Sequence, residues 1–222
     1  MGIISVEQTD RLYWLGRYTE RVYSIMRLYV KTYDAMIDSI AMEHRTFCRK
    51  LDIPNVYVSP ADFLKRYPFD ENDCNSIISN LKRAYDNAVV LREEIGSESL
   101  AYIQLAIYSM QKASVIDAPV LEFQNVLDNL MAFWGIIDDQ IESENVRNIL
   151  KVGKRVERID LYARLGSSRK DLTREVHRLT GRAGRCNLKY RTEVLENLNR
   201  MIEEDPLNYP EIVMEIEKFL GV

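Results

Sequence analysis

The chain has little of what cofactor sites and disulfide frameworks are made from. Its three cysteines, Cys48, Cys74 and Cys186, are an odd number with no CxxC spacing, which argues against a disulfide scaffold and a zinc site and fits reduced thiols in a cytoplasmic protein. It has two histidines. Neither His44 nor His177 has a glutamate three residues before it, those positions being Ala41 and Arg174, so the Glu-x-x-His pairs of helical di-iron sites are missing. No G-x-S-x-G occurs, and no cysteine and histidine stand in a recognisable nucleophile arrangement. No run approaches the roughly 18 apolar residues of a membrane span. No basic segment leads into an apolar one at the N-terminus, and Val6 stands where a myristoylation signal after Gly2 needs Ser or Thr. A cytoplasmic, non-membrane protein is expected. An excess of positive charge is lacking too: 30 Lys and Arg against 34 Asp and Glu give −4, leaving no overall field to attract nucleic acid.

What is present is a globular, helical composition. Hydrophobic residues make up 46% and charged residues 29% of 222 positions, enough for a single domain spanning 1–222 with a sizeable core. Apolar residues recur at helical steps from about Val6 to Lys50, as one long helix or two abutting ones. Residues 51–59 break that period, and Ser59-Pro60 has the form of a cap followed by a first-turn proline. The next helix should start behind Asp70, carry Ile77, Leu81, Ala84 and Ala88, and stop at Gly96. Ser97 starts another, ending near Ser114; Asp117-Ala-Pro119 opens a helix reaching toward Ile141. A further helix is expected over Glu144 to Leu165, and shorter ones at about 170–180, 187–204 and 209–220. Only Val56-Tyr-Val58 alternates like a strand, so the expected class is all-α, a multi-helix bundle with antiparallel neighbours.

One internal repeat stands out. Leu15-Gly-Arg-Tyr-Thr-Glu-Arg-Val-Tyr-Ser-Ile-Met-Arg-Leu28 aligns with Val152-Gly-Lys-Arg-Val-Glu-Arg-Ile-Asp-Leu-Tyr-Ala-Arg-Leu165 at a constant offset, 157 − 20 = 137. Gly16 matches Gly153, Glu20 matches Glu157, Arg21 matches Arg158, and Arg27 matches Arg164. At about 100° per residue, Gly16, Glu20 and Arg27 fall on one helical stripe. The second copy repeats that stripe, and Arg17 with Arg21 forms another, mirrored by Lys154 and Arg158. Two readings are open: the motif helices pack together with their charges as an internal ion-pair network, or the arginines converge on a carboxylate or phosphate of a ligand or partner.

These residues resemble the Alpha-E family, an α-helical domain defined by glutamate–arginine (ER) motifs. The resemblance rests on Leu12-Tyr-Trp-Leu-Gly-Arg-Tyr-Thr-Glu-Arg21, on Asn87-Ala-Val-Val-Leu-Arg-Glu-Glu-Ile-Gly-Ser-Glu98, and on Phe133-Trp-Gly135 leading into Val152-Gly-Lys-Arg-Val-Glu-Arg-Ile-Asp160. It is clearest over residues 5–165; Val89 and Gly96 depart from the family's usual arginine and serine. The resemblance implies an accessory role beside an ATP-grasp ligase and a transglutaminase-like peptidase, in forming or handling a peptide or amide-linked product.

The expectation is therefore a non-catalytic helical accessory protein that binds such a ligase, or its peptide product, through Arg17, Glu20, Arg21, Arg27, Arg92, Glu157, Arg158 and Arg164. No cofactor, metal or catalytic residue is assigned. The alternative is an enzyme subunit whose clustered arginines hold an acidic or phosphorylated substrate while Glu20 or Glu157 moves a proton. Asp138-Asp139-Gln-Ile-Glu142 resembles one aspartate-rich diphosphate box without the second that a magnesium site would need. Gly181-Arg-Ala-Gly-Arg185 lacks the Lys-Ser/Thr ending of a phosphate loop. The basic stretch from Arg155 to Arg191 leaves RNA as a minor candidate partner.

Overall fold

The computed structural model describes residues 4–38, 43–117 and 119–221. The described residues form ten helices and no strand: α1 (Val6–Asp38), α2 (Glu43–Leu51), α3 (Pro60–Arg66), α4 (Ile77–Val90), α5 (Arg92–Ala113), α6 (Val120–Asp139), α7 (Glu144–Arg164), α8 (Arg169–Ala183), α9 (Thr192–Glu203) and α10 (Tyr209–Glu217). The all-α expectation holds, and the strand-like Val56–Val58 is loop. None of the described helices is long and apolar enough to cross a membrane. The chain folds into two compact units, Met1–Glu20 with Glu142–Val222, and Arg21–Ile141.

The Arg21–Ile141 unit is organised around aromatic side chains. The Tyr29 ring lies 5.8 Å from Phe63, 6.1 Å from Tyr67 and 5.5 Å from Phe123, while Phe63 stacks on Tyr67 at 5.1 Å. Each such ring contributes a few kcal/mol, about 1.5–3 for a fully buried Phe, plus favourable edge and offset contacts. Ser59 caps α3 by accepting a hydrogen bond from the Asp62 N–H, with Pro60 at the first position, as its sequence indicates.

Several helix boundaries differ from expectation, including the start of α9 at Thr192 rather than near 187. The helix expected behind Asp70 starts at Ile77 and is capped by Ser76, which accepts from the Ser79 N–H. The carboxylates of Asp70 and Asp73 instead accept from the backbone N–H groups of Asn72 and Asn75, the turn-forming alternative open to any aspartate. That helix also ends earlier, at Val90, and α5 begins at Arg92 before bending at Gly96, whose φ of 77° and ψ of 156° suit glycine alone. Gly96 does break the helical path, but from inside the next element.

The unit built from the two chain ends centres on α7. Its Ile149, Val152, Val156 and Ile159 are buried at three- and four-residue spacing, the signature of a core-facing stripe. α8 and α10 pack on α7, and α9 packs on α8 and α10. Ser143 and Ser168 cap α7 and α8 by accepting from the N–H groups of Val146 and Asp171, and the Tyr190 ring stacks on Phe219 at 4.9 Å.

Candidate functional site

The first turns of α1 cross α7 at the two glycines of the repeat. A Cβ on Gly16 would overlap the Leu150 carbonyl oxygen and stand 3.2 Å from the Lys154 nitrogen. A Cβ on Gly153 would overlap the Tyr13 carbonyl oxygen and stand 3.2 Å from the Arg17 nitrogen. The residues touched correspond under the repeat offset: Tyr13 to Leu150 and Arg17 to Lys154. The crossing is thus a local pseudo-twofold in which each glycine admits the other helix's backbone, an approach that any side chain forbids.

Close approach sets the geometry of the charges. On both helices glutamate follows glycine by four residues, one helical turn, so it emerges beside the crossing. The Glu20 carboxylate accepts from Arg158 Nε at 2.8 Å and Nη2 at 2.9 Å, a two-pronged pair, with Lys154 Nζ 4.0 Å away. Glu157 accepts from Arg17 Nε at 2.7 Å. Arg17 and Lys154 are repeat equivalents, so each glutamate is held by basic residues of the opposite motif. The side chains of Glu20 and Glu157 are 1% and 0% exposed. The Arg17 guanidinium also lies 5.0 Å from the Trp14 ring centroid, and Trp14 stacks on Tyr18.

These surroundings fix protonation. Burial opposes the charge of Arg17, but Glu157, together with Tyr13 and Asp160, outweighs it and raises the pKa above the ordinary arginine value. Arg158 is raised in the same way, burial opposing and Glu20 prevailing. Burial lifts the Tyr13 phenol to about 12.

Another buried carboxylate, one that the sequence does not single out, gathers several arginines. Glu175 on α8 is 0% exposed, with Arg155 Nη1 at 2.7 Å, Arg178 Nη1 at 2.9 Å, Arg174 Nε at 3.4 Å and Arg158 Nη1 at 4.0 Å. Arg158 therefore stands between Glu20 and Glu175. Burial works against ionisation of Glu175, yet Arg155, then Arg158 and Arg178, hold its carboxyl below the ordinary glutamate range. The sequence signal was an acid flanked by Arg174 and Arg178 within the Arg-rich stretch. A charged helix face explains that spacing equally well, so only its burial marks it.

The other expected residues lie elsewhere. Arg164 pairs with Asp160 at 3.0 Å and Glu217 at 2.9 Å, toward the end of α7. Its repeat equivalent Arg27 is exposed, its guanidinium 5.7 Å from the Tyr23 ring; Tyr23 and Asp160 are themselves equivalent, so one register finds a ring and the other a carboxylate. Arg27 shares the stripe of Gly16, but eleven residues along a helix is about 16 Å, too far to remain at the crossing. Arg21 belongs to the Arg21–Ile141 unit, where its charge acts on the buried Tyr67 phenol. Arg92 is exposed and donates to the Ser97 hydroxyl at 2.9 Å. Asp138 and Asp139 are exposed at the end of α6, and no grouping of three or more His, Cys, Asp or Glu able to hold a metal occurs among the described residues.

An all-α protein whose doubled glutamate–arginine helix is closed by two facing glycines is the class defined by this fold and site. A family model, Alpha-E, described as a predicted alpha-helical domain with a conserved ER motif, matches residues 8–198. The chain belongs to the Alpha-E family, and the match extends through α8 and into α9. No curated protein and no solved structure matches the chain.

Proposed function

We propose that the chain is a non-catalytic helical accessory protein, cytoplasmic, whose ER motifs are a structural clasp and whose work is binding. The observation that carries this is the reciprocal pairing at the crossing: both motif glutamates are essentially unexposed and each is hydrogen-bonded to an arginine of the other motif. A carboxylate serving as general acid or base must reach the proton it moves. Glu20 and Glu157 are turned inward onto guanidiniums, which weighs against the proton-transfer alternative. Removing either partner would strand a buried charge, the situation in which ion pairs act as devices that specify one packing.

The proposed partner is an ATP-grasp-type peptide or amide ligase, with a transglutaminase-like peptidase acting on the same product. The family resemblance supports this. The test is affinity purification of the tagged chain from its native cell extract, with mass spectrometry of co-purifying proteins and peptides. Recovery of an ATP-grasp ligase or its peptide product is the expected result. A homogeneous chain that turns over a small acidic or phosphorylated substrate, and loses that turnover in Glu157→Gln while remaining folded, would overturn it.

A further inference from the structure

The face of α7 and α8 around Glu175 carries more cationic capacity than its own carboxylates use. Asp171 pairs with Arg174 at 2.8 Å, so Glu175, which Arg174 also reaches at 3.4 Å, is the carboxylate left to balance both Arg155 and Arg178. Each of those two guanidiniums makes one hydrogen bond, to opposite oxygens of Glu175, out of five N–H donors. Arg155 Nε is buried without a partner. A buried carboxylate that holds two arginine forks in place, while using a small part of their donors, is an arrangement prepared for a second oxyanion.

The charge around it points the same way. Residues 144–191 hold 14 Lys and Arg against five Asp and Glu, a net +9, in a chain of net −4; the remaining residues therefore sum to −13. A long polyanion responds to the whole protein's field, which is negative. Single-stranded nucleic acid also needs open aromatic platforms, and 144–191 contains two aromatics, Tyr190, stacked on Phe219, and Tyr162, half-buried. A short acidic chain suits the face better.

We infer that the α7–α8 face binds an acidic peptide, with Arg155 and Arg178 receiving its carboxylates and Glu175 acting as a positioning residue for their forks. This deepens the peptide-handling reading above and rests on it.

The experiment is fluorescence anisotropy of a labelled hexaglutamate peptide titrated with the full chain at physiological salt. Arg178→Lys keeps the charge and removes the fork, and Arg178 is about half exposed, so this variant stays folded; binding should weaken on the order of tenfold, the loss of a charge-assisted hydrogen bond. Lys189→Ala removes an exposed charge from the same stretch and should change affinity less than about twofold. Glu175→Gln separates positioning from field, because deleting a negative charge strengthens binding of an anion through the field alone but weakens it if Glu175 orients the arginines. Weaker binding by Glu175→Gln and Arg178→Lys supports the inference. It is overturned by tighter binding in Glu175→Gln, by wild-type affinity in Arg178→Lys, by equal losses in Lys189→Ala, or by no binding at millimolar protein. Preferential binding of a twelve-nucleotide oligouridylate through the same residues also overturns it. A chain that still co-purifies with a ligase while ignoring hexaglutamate would sink this inference and leave the accessory role standing.

Discussion

Replacing Gly153 by alanine should pry open the α1–α7 crossing. The added Cβ would overlap the Tyr13 carbonyl oxygen and stand 3.0 Å from its carbon and 3.2 Å from the Arg17 nitrogen. All three are backbone atoms, so no rotamer change relieves the clash, and the helices must part by about an ångström to restore ordinary contact. Overpacking of this kind costs about 1–3 kcal/mol. The separation also stretches the Arg17–Glu157 and Arg158–Glu20 hydrogen bonds, now 2.7 and 2.8 Å, each worth about 1.5–3 kcal/mol. Alanine's better helix propensity returns about 1 kcal/mol. Because the long side chains can partly follow the motion, the net loss should be about 2–4 kcal/mol. At about 2–4 °C per kcal/mol for a chain of this size, Tm should fall by about 5–15 °C. The matched control is Gly135→Ala on α6, where a Cβ meets nothing within 4 Å; it should raise stability by about 0.5–1 kcal/mol. Thermal melts followed by far-UV circular dichroism, with urea midpoints, measure both. A Gly153→Ala protein melting at or above wild type, while Gly135→Ala is stabilised as expected, would refute the close crossing and the clasp built on it.

Glu157→Gln should lower stability by about 2–4 kcal/mol, since it leaves the buried Arg17 facing a neutral amide; a urea midpoint within error of wild type, combined with lost partner binding, would instead make the motif a ligand site. A double-mutant cycle of Glu20→Gln and Arg158→Met should give a coupling of at least about 1.5 kcal/mol, from the two-pronged pair, and additive effects would contradict the pairing. Gly96→Ala should cost about 1–3 kcal/mol in urea unfolding although its surroundings are open, because the cost lies in the backbone at φ 77°. The Glu175 carboxyl is held below its usual range when folded, so the folded state binds its proton less readily than the unfolded chain. Its stabilisation is therefore present above the unfolded value of about 4.3 and lost as pH falls through the lower folded one. Between about pH 5 and 3, the Tm of Glu175→Gln should decline less steeply than that of wild type, and parallel declines would show that the carboxylate is not held this way.

Much of this protein was legible from local order. Helix starts such as Ser59-Pro60 and helix stripes such as Ile149, Val152 and Val156 follow from neighbouring residues, because capping and 3.6-residue periodicity are short-range effects. The repeated Gly-x-x-x-Glu-Arg was equally visible, and its spacing already put glycine and glutamate on one stripe. Local chemistry was less decisive where two residues compete for one role: Asp70 and Ser76 are both good caps, and tertiary placement gave the helix to Ser76 while the aspartates closed turns. What required the folded chain was the partner of each charge. Arg17 meets Glu157 across 140 positions of sequence, Arg27 meets a ring where its equivalent Arg164 meets Asp160, and Glu175, an acid like many on helix faces, becomes the buried centre of an arginine cluster. Helix periodicity states which residues share a face, but which face is pressed against which, and at what height along the axis, is set by contacts between distant segments. Here that height is decided where two glycines let α1 and α7 touch backbone to backbone.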